Sequence, residues 1–466
     1  MRAVHFTDTY LPRRDGVVSS IRTLVRALAD RGHPGLTVVP RHPGQAGEPD
    51  LMRLRALPCG VADLRLSPWL LHGATATGTI AEIAATAPEI VHVHTPGPVG
   101  LLGVLTARRL GLPLVQTYHT DLHAYVDAYR VPTRALRGAV RLYAHRLGVP
   151  RPAVGAGPER ASAAPMLRDP AALRRRAALD ATNLLLLGDA DAVVVPTRAV
   201  LDRISLPVPA DRVFLVPTGV AARHTTPGEV AAFRAAHGVD PADKVVLFVG
   251  RVNREKGVDL LINAFATLLA DCHRARLVLI GAIYEPRWLA ELLRTVGPAV
   301  AGRITVIGQQ PPGTVAAAYG AADVLAFPSG TDTQALVLQE AALAGVPAVL
   351  VDPVLHRHGP LAGAADCADP TATGFAAALL RLLTDPVAAR RLGELAADRA
   401  AEHTPERYAA AICDVYLHAA RRQAAHGAHR QAAPAAGRQA EWAGRPGPAQ
   451  PVGAFGRLSD RGRTRR

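Results

Sequence analysis

A chain of 466 residues with 49% hydrophobic side chains can bury sizeable cores, and its length suits two to three domains. Four cysteines stand far apart with no C-x-x-C pair, which argues against a disulfide framework or a cysteine zinc site and fits a reducing compartment. The net charge is +14, of which Arg421–Arg466 carries +8 through ten arginines against Glu441 and Asp460, so the body is only mildly basic.

The amino terminus, MRAVHFTDTYLP, alternates as a first strand does and lacks the apolar core of a signal peptide. No uncharged apolar run of about eighteen residues follows anywhere, so no membrane span is expected and the expected location is the cytoplasm. Short apolar runs then alternate with helical patterns, the signature of parallel α/β layering. Strands are predicted near Ala3 to Phe6, Leu36 to Val39, Ile90 to Val93, Leu114 to Thr117, Ala192 to Val195 and Val213 to Val216. After VPTGVAARHTTPGE the pattern restarts, with strands near Val245 to Val249, Leu277 to Ile280, Ile304 to Ile307, Val324 to Phe327 and Ala348 to Val351. The expected organisation is a first α/β domain over 1–216 with a loop insertion at 149–170, a linker at 217–227 and a second α/β domain over 228–403. A crossover helix at 404–423 and a disordered basic tail at 424–466 complete it.

Two segments carry chemistry. GRVNREKG, Gly250 to Gly257, closes an apolar strand and opens a helix at Val258, placing Arg251 and Lys256 in a strand-to-helix turn of the kind that binds phosphate. Lys244 and Lys256 are the only lysines among 53 basic residues, so an ammonium has been kept in that turn. In TDTQALVLQE, Asp332 precedes a helix that carries Glu340, seven residues separating the two acids. Each has a plainer alternative: Arg251 could pair within its own helix start, and Asp332 could be a helix N-cap.

These segments, with TDTYLPRRDGVVSSIRTL, VHVHTPGPVGLLGVLTARRLGLPLVQTYHTDLHAY, DAVVVPTRAV and VPTGV, resemble in order the retaining glycosyltransferases of the GT-B fold. That large family (glycosyl transferase group 1, family 4-like) holds bacterial mannosyl- and glucosyltransferases, and the resemblance covers roughly residues 1–420. It implies an α/β fold of two doubly wound, Rossmann-like domains facing across a cleft. It also implies transfer of a hexose from a GDP- or UDP-sugar, with no metal and no other cofactor. Arg251 and Lys256 would hold the diphosphate, Glu340 the ribose hydroxyls and Asp332 the hydroxyls of the sugar. Gly16 would let the backbone approach the donor, and His119 in TYHTD would face the sugar. His92, His94, His123 and the His356–His358 run are expected to be ordinary.

The chain departs from the family pattern at Asp332, where glutamate is usual, at Ala335, where glycine is usual, and at Ile283, whose β-branch restricts the turn after Gly281. Retention is ascribed in this family to attack on the departing face, the leaving diphosphate taking the acceptor proton. No carboxylate pair of the glycosidase kind is therefore expected, and none is found. The acceptor is expected on the first domain. The basic tail and the apolar SPWLLHG stretch suit a lipid-linked or anionic acceptor at the inner membrane face, and a small soluble acceptor is the alternative. Nucleic acid is not expected, because no recognition module is present. Two other readings keep the fold and change the chemistry: a sugar-nucleotide epimerase, and a catalytically silent nucleotide-sugar binder.

Overall fold

A computed structural model describes residues 1–59, 64–119, 133–150, 152 and 170–432. His123, almost all of the expected insertion at 149–170 and the tail beyond Ala432 lie outside the described residues. The strands are β1 Ala3–Phe6, β2 Leu36–Pro40, β3 Leu51–Leu54, β4 Leu57–Pro58, β5 Arg65–Leu66, β6 Ile90–Val93, β7 Leu114–Thr117, β8 Ala192–Val195 and β9 Val213–Leu215. They continue with β10 Lys244–Val249, β11 Ala275–Ile280, β12 Ile304–Gly308, β13 Val324–Phe327, β14 Ala348–Leu350 and β15 Asp366–Cys367.

Two parallel sheets result. The first has the order β3-β2-β1-β6-β7-β8-β9 and the second β12-β11-β10-β13-β14-β15, with a small β4-β5 ladder apart from both. The interior strands are buried on both faces and read as apolar runs, AVHF, IVHV and AVVV in the first sheet, interrupted only by buried His5 and His92, and VLAF in the second. Helices cover both faces, as parallel crossovers require. Behind β10 the Val258–Asp271 helix buries Val258, Leu261, Ile262, Phe265 and Leu268 against Phe248 and Leu277. Each such side chain contributes about 1.5–3 kcal/mol of burial.

The last helix, Pro405–Ala432, follows the second sheet in sequence but packs on the first. Tyr408, Ala409, Ile412, Val415, Tyr416 and Ala419 form one apolar face at helical spacing and meet Ala3, Leu24, Leu28, Ile90 and Val115. Where the chain enters that helix it passes the segment leaving the first sheet. Val220 N donates to His403 O at 2.9 Å, and a Cβ added to Gly219 would lie 2.3 Å from Thr404 O. The helix continues past Ala424, where an unstructured tail was expected, to Ala432. Alanine, glutamine and arginine are good helix formers, and their propensity sustains the helix after its apolar face has ended. The described residues up to Arg422 form one compact unit.

Candidate functional site

Loops at the carboxyl ends of both sheets line a cavity of about 980 Å³. All six residues singled out in the sequence reach it: Gly16 and His119 from the first domain, Arg251, Lys256, Asp332 and Glu340 from the second.

After β10 the chain bridges Val252 to Ile283, an extended pairing that suits the β-branch of Ile283, and then makes a tight turn over Arg254–Lys256. The Asn253 side chain accepts from Lys256 N at 3.3 Å, and Gly257 takes a left-handed φ of 69° before the helix begins. A side chain at Gly257 would strike Pro328 O, 2.5 Å from an added Cβ, so glycine lets this turn lie against the turn after β13. The contact of the two turns brings Lys256 Nζ to 2.8 Å from Asp332 Oδ1. Glu255 lies between the cations, 2.9 Å from Arg251 Nη2 and 3.7 Å from Lys256 Nζ. The local pairing anticipated for Arg251 is thus present, and the side chain still lines the cavity.

Asp332 is not a helix cap. The helix starts at Leu336, and its N-cap is Ala335 in the left-handed region at φ 59°. A non-glycine residue costs about 1 kcal/mol there, so the alanine keeps the conformation of a glycine at the expense of strain. Burial would raise the pKa of Asp332, but the Lys256 ammonium, with smaller contributions from the nearby Ser329 hydroxyl and Arg251, holds the carboxyl below its usual range. Among the described residues neither Asp332 Oδ2 nor the nearby Ser329 hydroxyl has a hydrogen-bond partner of good geometry. Buried polar atoms in this state are ready for a polar ligand. Glu340, within the first turns of that helix, accepts from Tyr319 Oη at 2.9 Å, and its pKa is raised by burial, opposed by the tyrosine bond and Arg223.

The segment around Asp332 is stitched to the first domain. Arg203 Nη1 donates to Asp332 O at 2.7 Å, while Nη2 pairs with Asp352. Thr197 Oγ1 donates to Thr333 O at 2.5 Å, and Thr333 Oγ1 donates to His119 O at 2.8 Å. The Gln334 amide bonds Thr218 twice, each at 2.9 Å. Sequence reading missed Arg203, Tyr319 and Glu255, since each acts through a partner far away in sequence or through a turn geometry that only folding creates.

Opposite these, Asp15 N-caps the Gly16–Asp30 helix by accepting from Val18 N at 3.0 Å, and Arg13 pairs with it at 2.6 Å. Arg13 and the helix-cap bond hold Asp15 below its usual pKa against the cost of its burial. Among the described residues a Cβ built on Gly16 would meet only Leu336 Cδ1, at 3.9 Å, so none of them demands glycine there. His119 Nε2 lies 3.1 Å from His94 Nδ1, and burial lowers the pKa of His119 to about 4.

Two parallel-sheet domains with a shared cleft, cations after the first strand of the second domain and a helix returning to the first define a GT-B glycosyltransferase. Residues 229–399 match the family model described as glycosyl transferases group 1, and residues 14–223 match that of glycosyltransferase family 4. The chain belongs to this group 1 glycosyltransferase family. It is 25% identical over 357 residues to the alpha-monoglucosyldiacylglycerol synthase of Streptococcus pneumoniae, covering 75% of this chain and 70% of that one. It is 34% identical over 170 residues to a D-inositol 3-phosphate glycosyltransferase of Segniliparus rotundus, but that match spans 35% of this chain and 37% of the relative. Anabaena HepE, solved with UDP and glucose, superposes with a TM-score of 0.63 at 16% identity, over 89% of this chain and 98% of that one. The sucrose-phosphate synthase of Thermosynechococcus elongatus gives a TM-score of 0.64 at 20% identity, again over 89% and 98%. Mannosyl transfer, expected as one of the family's activities, has no counterpart in the names of these relatives.

Proposed function

We propose that the chain is a retaining glycosyltransferase that moves a hexose from a nucleoside diphosphate sugar to an acceptor on the first-domain side of the cleft. The observation that carries this is Lys256 in contact with Asp332, beside Arg251 and across the cavity from His119. A diphosphate leaving group gains negative charge as the glycosidic bond breaks, and Arg251 and Lys256 are fixed cations that meet it without reorganising. With two such cations in place, a divalent metal has no task that they leave undone.

Asp332 then turns from Lys256 toward the sugar with its unbonded Oδ2, accepting from a hydroxyl. Aspartate reaches about one methylene less than glutamate, so the sugar must sit closer to the Pro328–Thr331 turn than in relatives with the longer acid. That no contact among the described residues needs Gly16 to be glycine fits a ligand passing over it. His119, neutral at working pH, bonds the sugar from the opposite wall. The acceptor proton goes to the departing diphosphate, which needs no protein base.

UDP-glucose is the donor we favour, because HepE is solved with UDP and glucose and the S. pneumoniae relative is named a glucosyl-lipid synthase. A GDP-sugar is the alternative. For the acceptor we favour an anionic or lipid-linked molecule met at the inner membrane face. The first-domain wall carries Arg22 and Arg26 on the Gly16–Asp30 helix and Arg13 and Arg14 just before it, and the same relative is named for a diacylglycerol product. Among the described residues no single helix is long and apolar enough to cross a membrane.

Titration of the purified chain with UDP-, GDP- and ADP-sugars, followed by product analysis with and without acceptor lipids, tests the assignment. Micromolar binding of one donor and slow release of its sugar to water are expected. No affinity for any nucleoside diphosphate would overturn it.

Glu340 adds a pH prediction. Its raised pKa means that the carboxylate is lost at a pH above the ordinary glutamate range, and protonation turns an acceptor of ribose hydroxyls into a partial donor. Nucleotide affinity is therefore expected to fall on acidification before any ordinary glutamate would titrate. Asp332, held below its usual pKa, stays ionised throughout that limb. Glu340→Gln should bind more weakly at neutral pH and lose the acid limb, which calorimetry across the pH range would read directly.

A further inference from the structure

Behind His119 the first domain keeps a file of buried imidazoles that the reaction above does not use. His5 lies on β1, His94 follows β6 and His119 follows β7, and these three strands are neighbours in the sheet. His5 Nδ1 is 3.0 Å from His94 Nε2, and His94 Nδ1 is 3.1 Å from His119 Nε2. In both pairs the ring centroids are 5.3 Å apart and the planes lie within 22° and 24° of parallel. That separation is the N···N distance plus the two ring radii, so the rings meet end to end.

His92 stands beside this file with partners of its own, Tyr416 Oη at 2.8 Å and Thr117 Oγ1 at 2.7 Å. The ring nitrogens of His5, His92 and His94 lie within 4.8 Å of one another, as metal ligands would. Yet the facing nitrogens of His5 and His94 point at each other, so their lone pairs do not converge on one point as an ion bonding nitrogen requires.

An end-to-end contact of two imidazoles holds a single proton: two lone pairs repel, and two N–H groups collide. Burial keeps every member neutral at pH 7, His5 and His119 with pKa values of about 4 and His94 well below 6.5, so each ring carries one N–H. Three neutral rings joined by two one-proton contacts have two arrangements only. Either all three carry the proton on Nε2, or all three carry it on Nδ1. His119 cannot change tautomer alone.

We propose that His94 and His5 are positioning residues that fix His119 as its Nδ1–H tautomer, so that it offers the cleft a donor and not a lone pair. Asp15 selects this arrangement. Its carboxylate lines the same cavity and acts electrostatically on His119, and a negative charge on the cleft side favours N–H dipoles running from His5 outward. A donor at this place suits a hydroxyl or phosphoryl oxygen of the sugar nucleotide. The inference rests on the proposed placing of His119 against the donor.

The test uses the full chain labelled with ¹⁵N-histidine, with the His119 ring signals assigned by their loss in His119→Ala. Long-range ¹H–¹⁵N spectra should show a protonated Nδ1 and a bare Nε2 on His119. A protonated Nε2 would overturn the proposal. In His94→Phe, which keeps a ring in the buried site, the His119 signals should become those of a tautomer mixture. Its kcat should fall on the order of tenfold with the donor KM little changed, the loss of one hydrogen bond's worth of positioning. Unaltered His119 signals in that folded variant would overturn it equally. Should His94→Phe fail to fold, Asp15→Asn, which keeps a helix cap but removes the selecting charge, should move the His119 signals toward the Nε2–H tautomer, and unaltered signals there would overturn the proposal. Near-normal turnover in His119→Ala would remove His119 from the sugar, whereas the tautomer stands or falls on the spectra.

Discussion

Lys256→Ala is expected to weaken nucleoside diphosphate binding by about 1.5–3 kcal/mol for the lost charged hydrogen bond, and by more than Arg251→Ala does. The difference comes from Asp332. Lys256 Nζ is its partner at 2.8 Å, so the alanine variant leaves a buried carboxylate facing the incoming phosphates with its compensating charge gone. Arg251→Ala removes a cation paired with Glu255, which keeps Lys256 within 3.7 Å. Calorimetric titration with the free diphosphate nucleotide separates the two, and the double variant Lys256→Ala with Asp332→Asn should recover part of the loss. Equal affinity in wild type and Lys256→Ala would remove the turn after β10 from the donor site.

His119→Ala is expected to slow transfer by a factor on the order of 10² while nucleotide affinity stays within a few-fold. The ring belongs to the wall opposite the cations, and its backbone carbonyl, held by Thr333 Oγ1 at 2.8 Å, survives the substitution. Because burial holds the ring's pKa near 4, turnover should not follow a histidine titration between pH 6 and 8, the region where an exposed imidazole would impose one. A pH profile with a step near 6.5 that vanishes in the alanine variant would show that His119 is solvated and charged, contrary to the proposed role.

The interior strands were legible because each is an apolar run bounded by turn residues, and the restart after the VPTG turn marked the second domain. Edge elements were not: LMRL over Leu51–Leu54 is half exposed, and Asp366–Cys367 is a two-residue strand with no pattern to read. The cations and acids of the site were legible through motif order, because a strand-to-helix turn fixes where its side chains point. What holds them was hidden. Arg203 reaches Asp332 O and Asp352 from a helix whose sequence, RAVLDR, carries no sign of that task. The alternation in VHVH does place His92 and His94 on one face of a strand, but the third ring comes from β1, through the register that sets His5 against His92. Histidines that looked ordinary one by one become a group only when three strands are laid side by side.

The two places where the chain passes between the sheets lie against each other, tied by Val220 N to His403 O at 2.9 Å and packed as closely as Gly219 against Thr404 allows. Two leashes joined at one point leave the lobes a pivot and forbid them to slide apart. Any motion that admits or releases a substrate is therefore expected to swing about this knot, with travel growing with distance from it. Gln334 grips Thr218 beside the knot, whereas Thr333 and Asp332 are gripped by His119 and Arg203. The segment carrying Asp332 is therefore anchored at the axle, and the mouth of the jaw is expected to move while its innermost teeth stay in register.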